Sequence, residues 1–258
     1  MFTLTDRGKH ILESTAVKGL VREYWKKSAV RYNKAHQSER EHGSWKELLK
    51  TILGPAGGLK VLDVGTGTGV IALALAAAGQ QVTALDLTAE MVEKAKANAE
   101  RRGLVVDFRI GDAEKLPFAD NTFDVVISKW LLWTLPTPEK AVSEWQRVLR
   151  RGGRLIIIDG NWWDFRKSWA KRVWYHLLAM PLVLITERRY AWNSYGHLVQ
   201  HLPMLSRKRP EADVELLEHF GFVGVEAQTV DIPIAQTFIS WLKYGYQGGQ
   251  FLVKGVKA

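Results

Sequence analysis

Closely spaced glycines and acidic side chains occur together in the first half of the sequence. Asp63 stands two residues before the run Gly65-Thr-Gly-Thr-Gly69, and Asp86 and Asp112 follow later. Glycines let the main chain adopt unusual backbone angles and approach a ligand closely. A carboxylate at the end of a strand can accept both hydroxyls of a ribose, and Asp112 is placed to accept from the exocyclic amine of adenine. The set predicts a site for an adenosine-containing ligand.

The charge of these residues distinguishes between two kinds of adenosine ligand. The run Gly67-Thr-Gly-Val-Ile-Ala72 also satisfies the dinucleotide fingerprint, with its permitted final alanine. Carboxylates around the loop would repel a pyrophosphate, whereas they would attract a ligand that carries an ammonium and a sulfonium. The sequence therefore favours S-adenosylmethionine. An NAD-binding oxidoreductase or a non-catalytic adenosyl-binding module is the alternative from another class.

The elements that must position these residues alternate between short β-branched runs and longer helical patterns, which is typical of a parallel sheet with crossover helices. Predicted strands cover 60–64, 81–85, 105–110, 123–128, 154–159, 222–230 and 250–256, and predicted helices cover 70–78, 89–102, 138–149 and 211–220. The predicted helix 138–149 is expected to be stopped by Gly152 and Gly153. We predict an α/β fold: a Rossmann-like, doubly wound, mostly parallel seven-stranded sheet with an antiparallel last strand.

Two helical segments flank and interrupt this pattern, and we interpret the chain as a single domain. Residues 1–55 predict two or three helices that form an N-terminal helical cap, and residues 56–160 form the cofactor-binding core. Residues 161–210 are rich in tryptophan and basic side chains and show helical periodicity, so they are predicted to form an inserted helical lid. Residues 211–258 complete the sheet.

Five motifs in order carry a family resemblance. They are Asp-x-Gly-x-Gly-x-Gly at 63–69, the strand-end acid Asp86, Gly-Asp-Ala-x-x-Leu-Pro-Phe at 111–118, Phe-Asp-Val-Val at 123–126 and Val-Leu-Arg-x-Gly-Gly-Arg-Leu at 148–155. In them the chain resembles the class I S-adenosylmethionine-dependent methyltransferases, particularly the ubiquinone and menaquinone biosynthesis group. The resemblance implies that the cofactor's methionine end is lined by Gly65, Thr66 and Gly67, its ribose by Asp86 and Leu87, and its adenine by Met91, Asp112 and Ala113. Asp63, Gly69 and Lys129 complete the predicted cofactor set.

The residues that would serve the methyl acceptor are less sharply defined. Displacement at an activated methyl group mainly requires alignment and exclusion of water, and a general base is needed only when the acceptor arrives protonated. In the resembling fold the segment 128–133 faces the transferred methyl, and many relatives with small substrates have a histidine where Trp133 stands. Trp133 and His197 are the predicted catalytic residues, with His36, His176 and His201 as further candidate bases. Lys129 is expected to contact the cofactor carboxylate or the substrate.

Aromatic side chains of the cap and the lid are predicted to bind the acceptor. They are Tyr24, Tyr32, Trp162, Trp169 and Trp192. Aromatic walls combined with positive charge suit a planar, amphiphilic or carboxylate-bearing molecule. The same aromatics would also fill an ordinary helical core, and basic aromatic helices occur on membrane surfaces and on RNA-binding faces. A small organic acceptor methylated at O, N, S or C is the first prediction, and an RNA- or membrane-surface-associated methyltransferase is the alternative.

Composition excludes several other classes. The 258 residues contain no cysteine, which removes disulfides, thiolate metal sites and the covalent route to 5-methylated pyrimidines. No metal site is predicted. The formal net charge is +9, but the Asn-Pro-Pro-aromatic or Asp-Pro-Pro-aromatic loop of nucleic-acid adenine methyltransferases is absent, so nucleic acid is not the expected partner. The N-terminus shows no export signal and the apolar runs are too short to span a bilayer, so a cytoplasmic protein is expected.

Overall fold

A seven-stranded sheet forms the centre of the molecule. The computed structural model describes residues 3–4, 10–11, 13–54, 57–162, 168–187, 198–230, 238–244 and 249–258. The strands are β1 (Lys60–Val64), β2 (Gln81–Asp86), β3 (Asp107–Ile110), β4 (Phe123–Lys129), β5 (Leu149–Gly160), β6 (Phe222–Thr229) and β7 (Gln250–Lys257). Their spatial order is β3-β2-β1-β4-β5-β7-β6, and β7 runs antiparallel to both of its neighbours. The predicted α/β class and mostly parallel seven-stranded sheet are confirmed.

Helices cover both faces of the sheet. They are α1 (Ser14–Ala35), α2 (Glu39–Leu53), α3 (Val70–Ala77), α4 (Ala89–Arg101), α5 (Pro138–Val148), α6 (Trp169–Trp174), α7 (Met180–Glu187), α8 (Glu211–His219) and α9 (Phe238–Tyr244). A π-helical turn at Tyr175–Ala179 joins α6 to α7, and short 3-10 helices lie at Leu132–Thr134, Val199–His201 and Pro203–Leu205. Ser38 caps α2, since its hydroxyl accepts from the Glu41 amide at 3.2 Å. The described part of the cap thus contains two helices, as expected.

Alternating side chains of β1 belong to two apolar clusters, one on each face of the sheet. Leu62 and Val64 join the cluster beneath α5 and α8, in which Trp145 is fully buried. Val61 joins the opposite cluster beneath α2 and α3, in which Trp45 is fully buried. Side chains that alternate between two buried clusters are the pattern of a strand covered on both faces.

Two boundaries predicted from the sequence are wrong. β5 begins at Leu149 rather than at residue 154, because Leu149 pairs with Phe123 and the register then shifts until Arg154 pairs with Val125. Gly152, at φ +70°, lies in the resulting bulge. The glycines therefore bend the strand and do not stop α5, which ends earlier, at Val148. β3 also starts later than predicted, at Asp107.

The two ends of the insertion are fastened to the end of β5. Asp159 is fully buried there, and one of its oxygens accepts from the Trp162 indole N–H at 2.9 Å. Its other oxygen accepts from the Arg209 guanidinium at 2.8 Å, and Arg209 also donates to Asp213 of α8 at 2.7 Å. Since Trp162 and Arg209 bracket the lid in sequence, this buried network holds both of its ends at one place on the sheet.

Candidate active site

The glycine loop at residues 65–69 joins β1 to α3 at the point where the strand order reverses. The Gly65 and Thr66 amides both donate to the Leu85 carbonyl, at 2.8 and 3.0 Å. Gly65, Gly67 and Gly69 have φ angles of +72°, +55° and +88°, which side chains rarely tolerate. A Cβ on Gly65 would also lie 2.8 Å from the Leu131 side chain. Glycine is therefore required both by the backbone conformation and by the close packing.

Two predicted cofactor residues, Asp63 and Asp86, accept hydrogen bonds from residues of this loop. Asp86 accepts from the Gly67 amide at 2.8 Å and from the Thr88 amide at 2.9 Å. One oxygen of Asp63, Oδ2, accepts from the Thr66 hydroxyl at 2.6 Å. Burial raises the pKa of Asp63 to about 7 and also raises the pKa of Asp86. A cation bound beside them would favour their ionised forms.

Asp112, which follows β3, is linked to the N-terminal cap. Its carboxylate accepts from the Lys18 ammonium of α1 at 2.6 Å, and Lys18 also contacts Glu114 at 2.7 Å. Met91, in the first turn of α4, and Ala113 are buried. The predicted adenine region therefore lies where α1 reaches across to the sheet edge.

Lys129, at the end of β4, is a buried cation. Its ammonium lies 3.4 Å from the Tyr32 hydroxyl and 3.3 Å from the centroid of the Trp130 ring. Within the described part of the chain it forms no ion pair. Burial lowers the pKa of Lys129 to about 8, against the opposing influence of Glu41, Asp63 and Asp159. A buried ammonium without a carboxylate contact is costly, so this position suits an anionic ligand group.

Two buried polar atoms near Lys129 lack a hydrogen-bond partner among the described residues. They are Asp63 Oδ1 and Trp130 Nε1. An unsatisfied buried polar atom costs about 1–3 kcal/mol, so a group of them marks a place that a ligand completes. The amino-acid end of S-adenosylmethionine carries an ammonium for the Asp63 oxygen and a carboxylate for Lys129, so these residues fit that cofactor.

The junction between α1 and α2 covers the loop and carries a histidine–carboxylate pair that sequence reasoning missed. Gln37 donates to the Thr68 carbonyl at 3.1 Å, which ties the junction to the loop. His36 Nδ1 donates to Glu41 Oε1 at 3.1 Å. Burial lowers the pKa of His36. Burial opposes the ionisation of Glu41, but His36 and Lys129 together hold its pKa below the usual value. His36 was one of several candidate bases, but no sequence motif singled out its partner.

The His36 ring of this pair lies among three other aromatic rings, and we call the four rings, of Tyr32, His36, Trp130 and Trp162, the aromatic box. The His36 ring lies 4.4 Å from that of Tyr32 and 5.4 Å from that of Trp130, and Trp162 packs edge-on against Trp130 at 5.3 Å. Tyr32 also approaches the glycine loop, since a Cβ on Gly67 would lie 3.6 Å from its ring. Two of the predicted acceptor residues, Tyr32 and Trp162, are thus brought together.

The remaining predicted acceptor and catalytic residues lie elsewhere. Tyr24 and Trp133 pack against an apolar cluster between α1 and the lid, around Val17 and Leu202, and the Trp25 ring joins Tyr24 to Tyr32 at centroid distances of 5.3 and 5.6 Å. Trp169 is 78% exposed on α6. His197 and Trp192 lie outside the residues that the structure describes, so their assigned roles stay predictions.

Comparison with known proteins gives consistent results. A family model for a methyltransferase domain matches residues 62–157. The ubiquinone/menaquinone biosynthesis C-methyltransferases of Ruegeria sp. and Roseobacter denitrificans are 40% and 33% identical over 208 residues, which cover 78% of this chain and 80% of each relative. A solved phosphoethanolamine N-methyltransferase 2 of Haemonchus contortus, in complex with S-adenosyl-L-methionine, has a TM-score of 0.57 at 18% identity, covering 82% of this chain and 52% of that one.

The relatives and the fold agree with the motifs. The sheet order with its antiparallel last strand, the glycine loop at the switch point and the strand-end acids occur in one chain that aligns with four-fifths of each curated relative. The chain belongs to the class I S-adenosylmethionine-dependent methyltransferases and is similar to the ubiquinone and menaquinone biosynthesis C-methyltransferases.

Proposed function

We propose that this enzyme transfers the methyl group of S-adenosylmethionine to a small, planar organic acceptor that carries an ionisable hydroxyl. The observation that supports the cofactor is the buried Lys129 ammonium, which lies without an ion pair among the described residues at the same sheet edge as the unpartnered Asp63 oxygen. The two charges match the two charged groups at the amino-acid end of the cofactor. The H. contortus neighbour, solved with S-adenosyl-L-methionine, supports this placement at the level of the fold.

The cofactor would lie along the carboxyl edge of β1, β2 and β4. Its methionine end would contact Gly65, Thr66 and Gly67 and its carboxylate Lys129. Asp86 and Leu87 would hold the ribose, and Met91, Asp112 and Ala113 would surround the adenine. When bound, S-adenosylmethionine supplies a methyl group that is already activated on a sulfonium. The chain's own task is then to bind, orient and exclude water.

The acceptor would lie in the aromatic box. Aromatic side chains can hold a flat ring by offset stacking or by edge-to-face packing, and Tyr32 brings these rings next to the loop that would hold the cofactor. The curated relatives are named as C-methyltransferases of ubiquinone and menaquinone biosynthesis. We carry that class over as methylation at carbon of a hydroxylated ring, the kind of precursor from which quinones are made.

His36 would act as the general base. Glu41 accepts the Nδ1 proton of His36, which leaves Nε2 as the nitrogen that can accept a proton. The side chain of His36, which is part of the aromatic box, is 16% exposed, while that of Glu41 is 3% exposed. Removal of a hydroxyl proton from the acceptor would raise the electron density of the ring carbon that attacks the methyl group. Glu41 acts through His36 and is a positioning residue.

A labelled-methyl assay tests this function. Purified enzyme is incubated with methyl-labelled cofactor and one of four acceptors: an alkylated hydroquinone, a primary amine, a thiol or transfer RNA. We expect label in the hydroquinone, at a ring carbon by NMR. Label confined to RNA, with binding that weakens strongly as salt is raised, would instead support the polyanion alternative.

We further infer that residues 1–258 act as one domain, with the cap (1–55) and lid (161–210) closing over the core (56–160) and sheet end (211–258).

A further inference from the structure

The helical segment of the lid at residues 169–187 exposes large apolar side chains in a continuous arrangement. Exposed fractions are 78% for Trp169, 45% for Val173, 70% for Leu177, 53% for Leu178, 48% for Leu184 and 75% for Ile185. The first three are spaced four residues apart, and the last two follow beyond the π-helical turn. Single exposed apolar side chains are ordinary, but a contiguous set marks an interaction surface. We call these six residues the apolar face.

The apolar face belongs to a segment that is held in place by the fold. Ala179 and Val183 of the same segment are 1% and 3% exposed, so the helix buries its other side. The Trp174 indole N–H donates to the Leu242 carbonyl of α9 at 2.8 Å. One side of this helical segment therefore packs against the rest of the protein, and the six exposed residues point outward from its other side.

Positive charge accompanies the apolar face. Lys171 and Arg172 lie on α6 between Trp169 and Val173, and Arg172 is exposed. The chain as a whole has a formal net charge of +9. A second copy of this chain would bring equal positive charges together across a symmetric interface, which opposes self-association through this surface. An anionic bilayer surface supplies both the apolar depth and the opposite charge.

We propose that the apolar face docks the enzyme on an anionic lipid bilayer, with helix 169–187 lying in the plane of the interface. In the described part of the chain, no helix is long and apolar enough to cross a membrane. The helix would insert its aliphatic and indole side chains while Lys171 and Arg172 remain at the level of the head groups. Because Trp162 of the aromatic box lies near the start of the insertion 161–210, docking would place the proposed acceptor site on the side of the molecule that faces the lipid surface.

Co-sedimentation with vesicles tests the proposal without an activity readout, so its failure is separate from failure of the proposed function. Full-length protein is mixed with vesicles of phosphatidylcholine alone or with about one-third phosphatidylglycerol, at low and high salt. We expect binding to the mixed vesicles, weakened by salt, and at least about tenfold weaker binding by a Leu177→Ser, Ile185→Ser variant. A Val105→Ser variant is the matched control. Val105 is 91% exposed and lies just before β3, outside the lid.

Folding and self-association are measured in parallel. Thermal unfolding should be unchanged in both variants, because the substituted side chains are exposed. The proposal is overturned if the wild-type protein ignores the mixed vesicles, or if the double variant binds them as tightly as the Val105→Ser control. It is also overturned if sedimentation velocity shows a wild-type dimer that the double variant alone loses, since a second copy would then cover the apolar face.

Discussion

Replacing Lys129 with methionine should make the protein more stable and a weaker binder of its cofactor at the same time. The ammonium is buried beside Tyr32 and Trp130, and within the described residues no carboxylate pairs with it. Methionine keeps the length and apolar stem of lysine and removes the charge. The two effects therefore have one cause, the cost of holding an uncompensated cation at the place where a ligand carboxylate belongs.

The size of the stability change follows from the pKa of Lys129. Burial lowers that pKa from 10.5 to about 8, which corresponds to a penalty of about 3 kcal/mol for the charged form in the folded state. The folded protein binds the proton less tightly than the unfolded chain, so the penalty is present in full below pH 8 and disappears as the pH rises towards 10.5. Lys129→Met should thus raise the free energy of unfolding by up to about 3 kcal/mol at pH 7, with a smaller gain at pH 10.

Cofactor affinity should change in the opposite direction. A hydrogen bond between two charged groups contributes about 1.5–3 kcal/mol, so binding of S-adenosylhomocysteine should weaken by about ten- to a hundredfold. Denaturant unfolding and isothermal titration calorimetry measure the two quantities on the same samples. Lys254→Met is the matched control, because Lys254 is 45% exposed and pairs with Glu226 on the outer strands. Wild-type affinity in Lys129→Met, or a loss of stability, would refute the reasoning.

Three further predictions concern other parts of the account. Asp86→Asn removes the anionic acceptor of the Gly67 amide, so calorimetry should show about tenfold or weaker binding of S-adenosylhomocysteine, while Asp107→Asn on the exposed start of β3 leaves binding unchanged. His36→Asn should lower kcat by about 100- to 10,000-fold. It should also abolish the acid limb of the pH profile of kcat/KM, which we expect below pH 6.5 because burial lowers the pKa of His36. An unaltered pH profile would contradict its role as base. Arg209→Met leaves two buried carboxylates unpaired and should destabilise the fold by about 3–5 kcal/mol in urea unfolding at pH 7, whereas a neutral result would show that the network is dispensable.

The sheet and its glycine loop were predictable because their signals are local. Strands β1 and β2 are runs of β-branched and aliphatic residues that lead into a glycine and an acid respectively, and both features are visible within a few residues. The bulge at the start of β5 was not predictable in this way. Gly152 and Gly153 have the same local appearance whether they stop a helix or bend a strand, and only the pairing of Leu149 with Phe123 decides between the two.

Some functional side chains were also predictable from local sequence, and others were not. Asp63 and Asp86 lie at the carboxyl ends of β1 and β2, so their place at the sheet edge was expected from sequence. The burial of Lys129 depends on Tyr32 of α1, which is 97 residues away in the chain. The pairing of His36 with Glu41 spans the break between two helices, where helical spacing gives no information. Long-range packing of the cap on the sheet therefore supplied what local patterns did not contain.

Calorimetric titration of the purified wild-type protein with S-adenosylmethionine, S-adenosylhomocysteine and NAD in turn tests whether the glycine loop binds a sulfonium cofactor. We expect saturable binding of both sulfur nucleosides at a single site and no binding heat with NAD, since carboxylates beside the glycine loop favour a cationic ligand over a pyrophosphate. Tight binding of NAD together with no response to either sulfur nucleoside would contradict it.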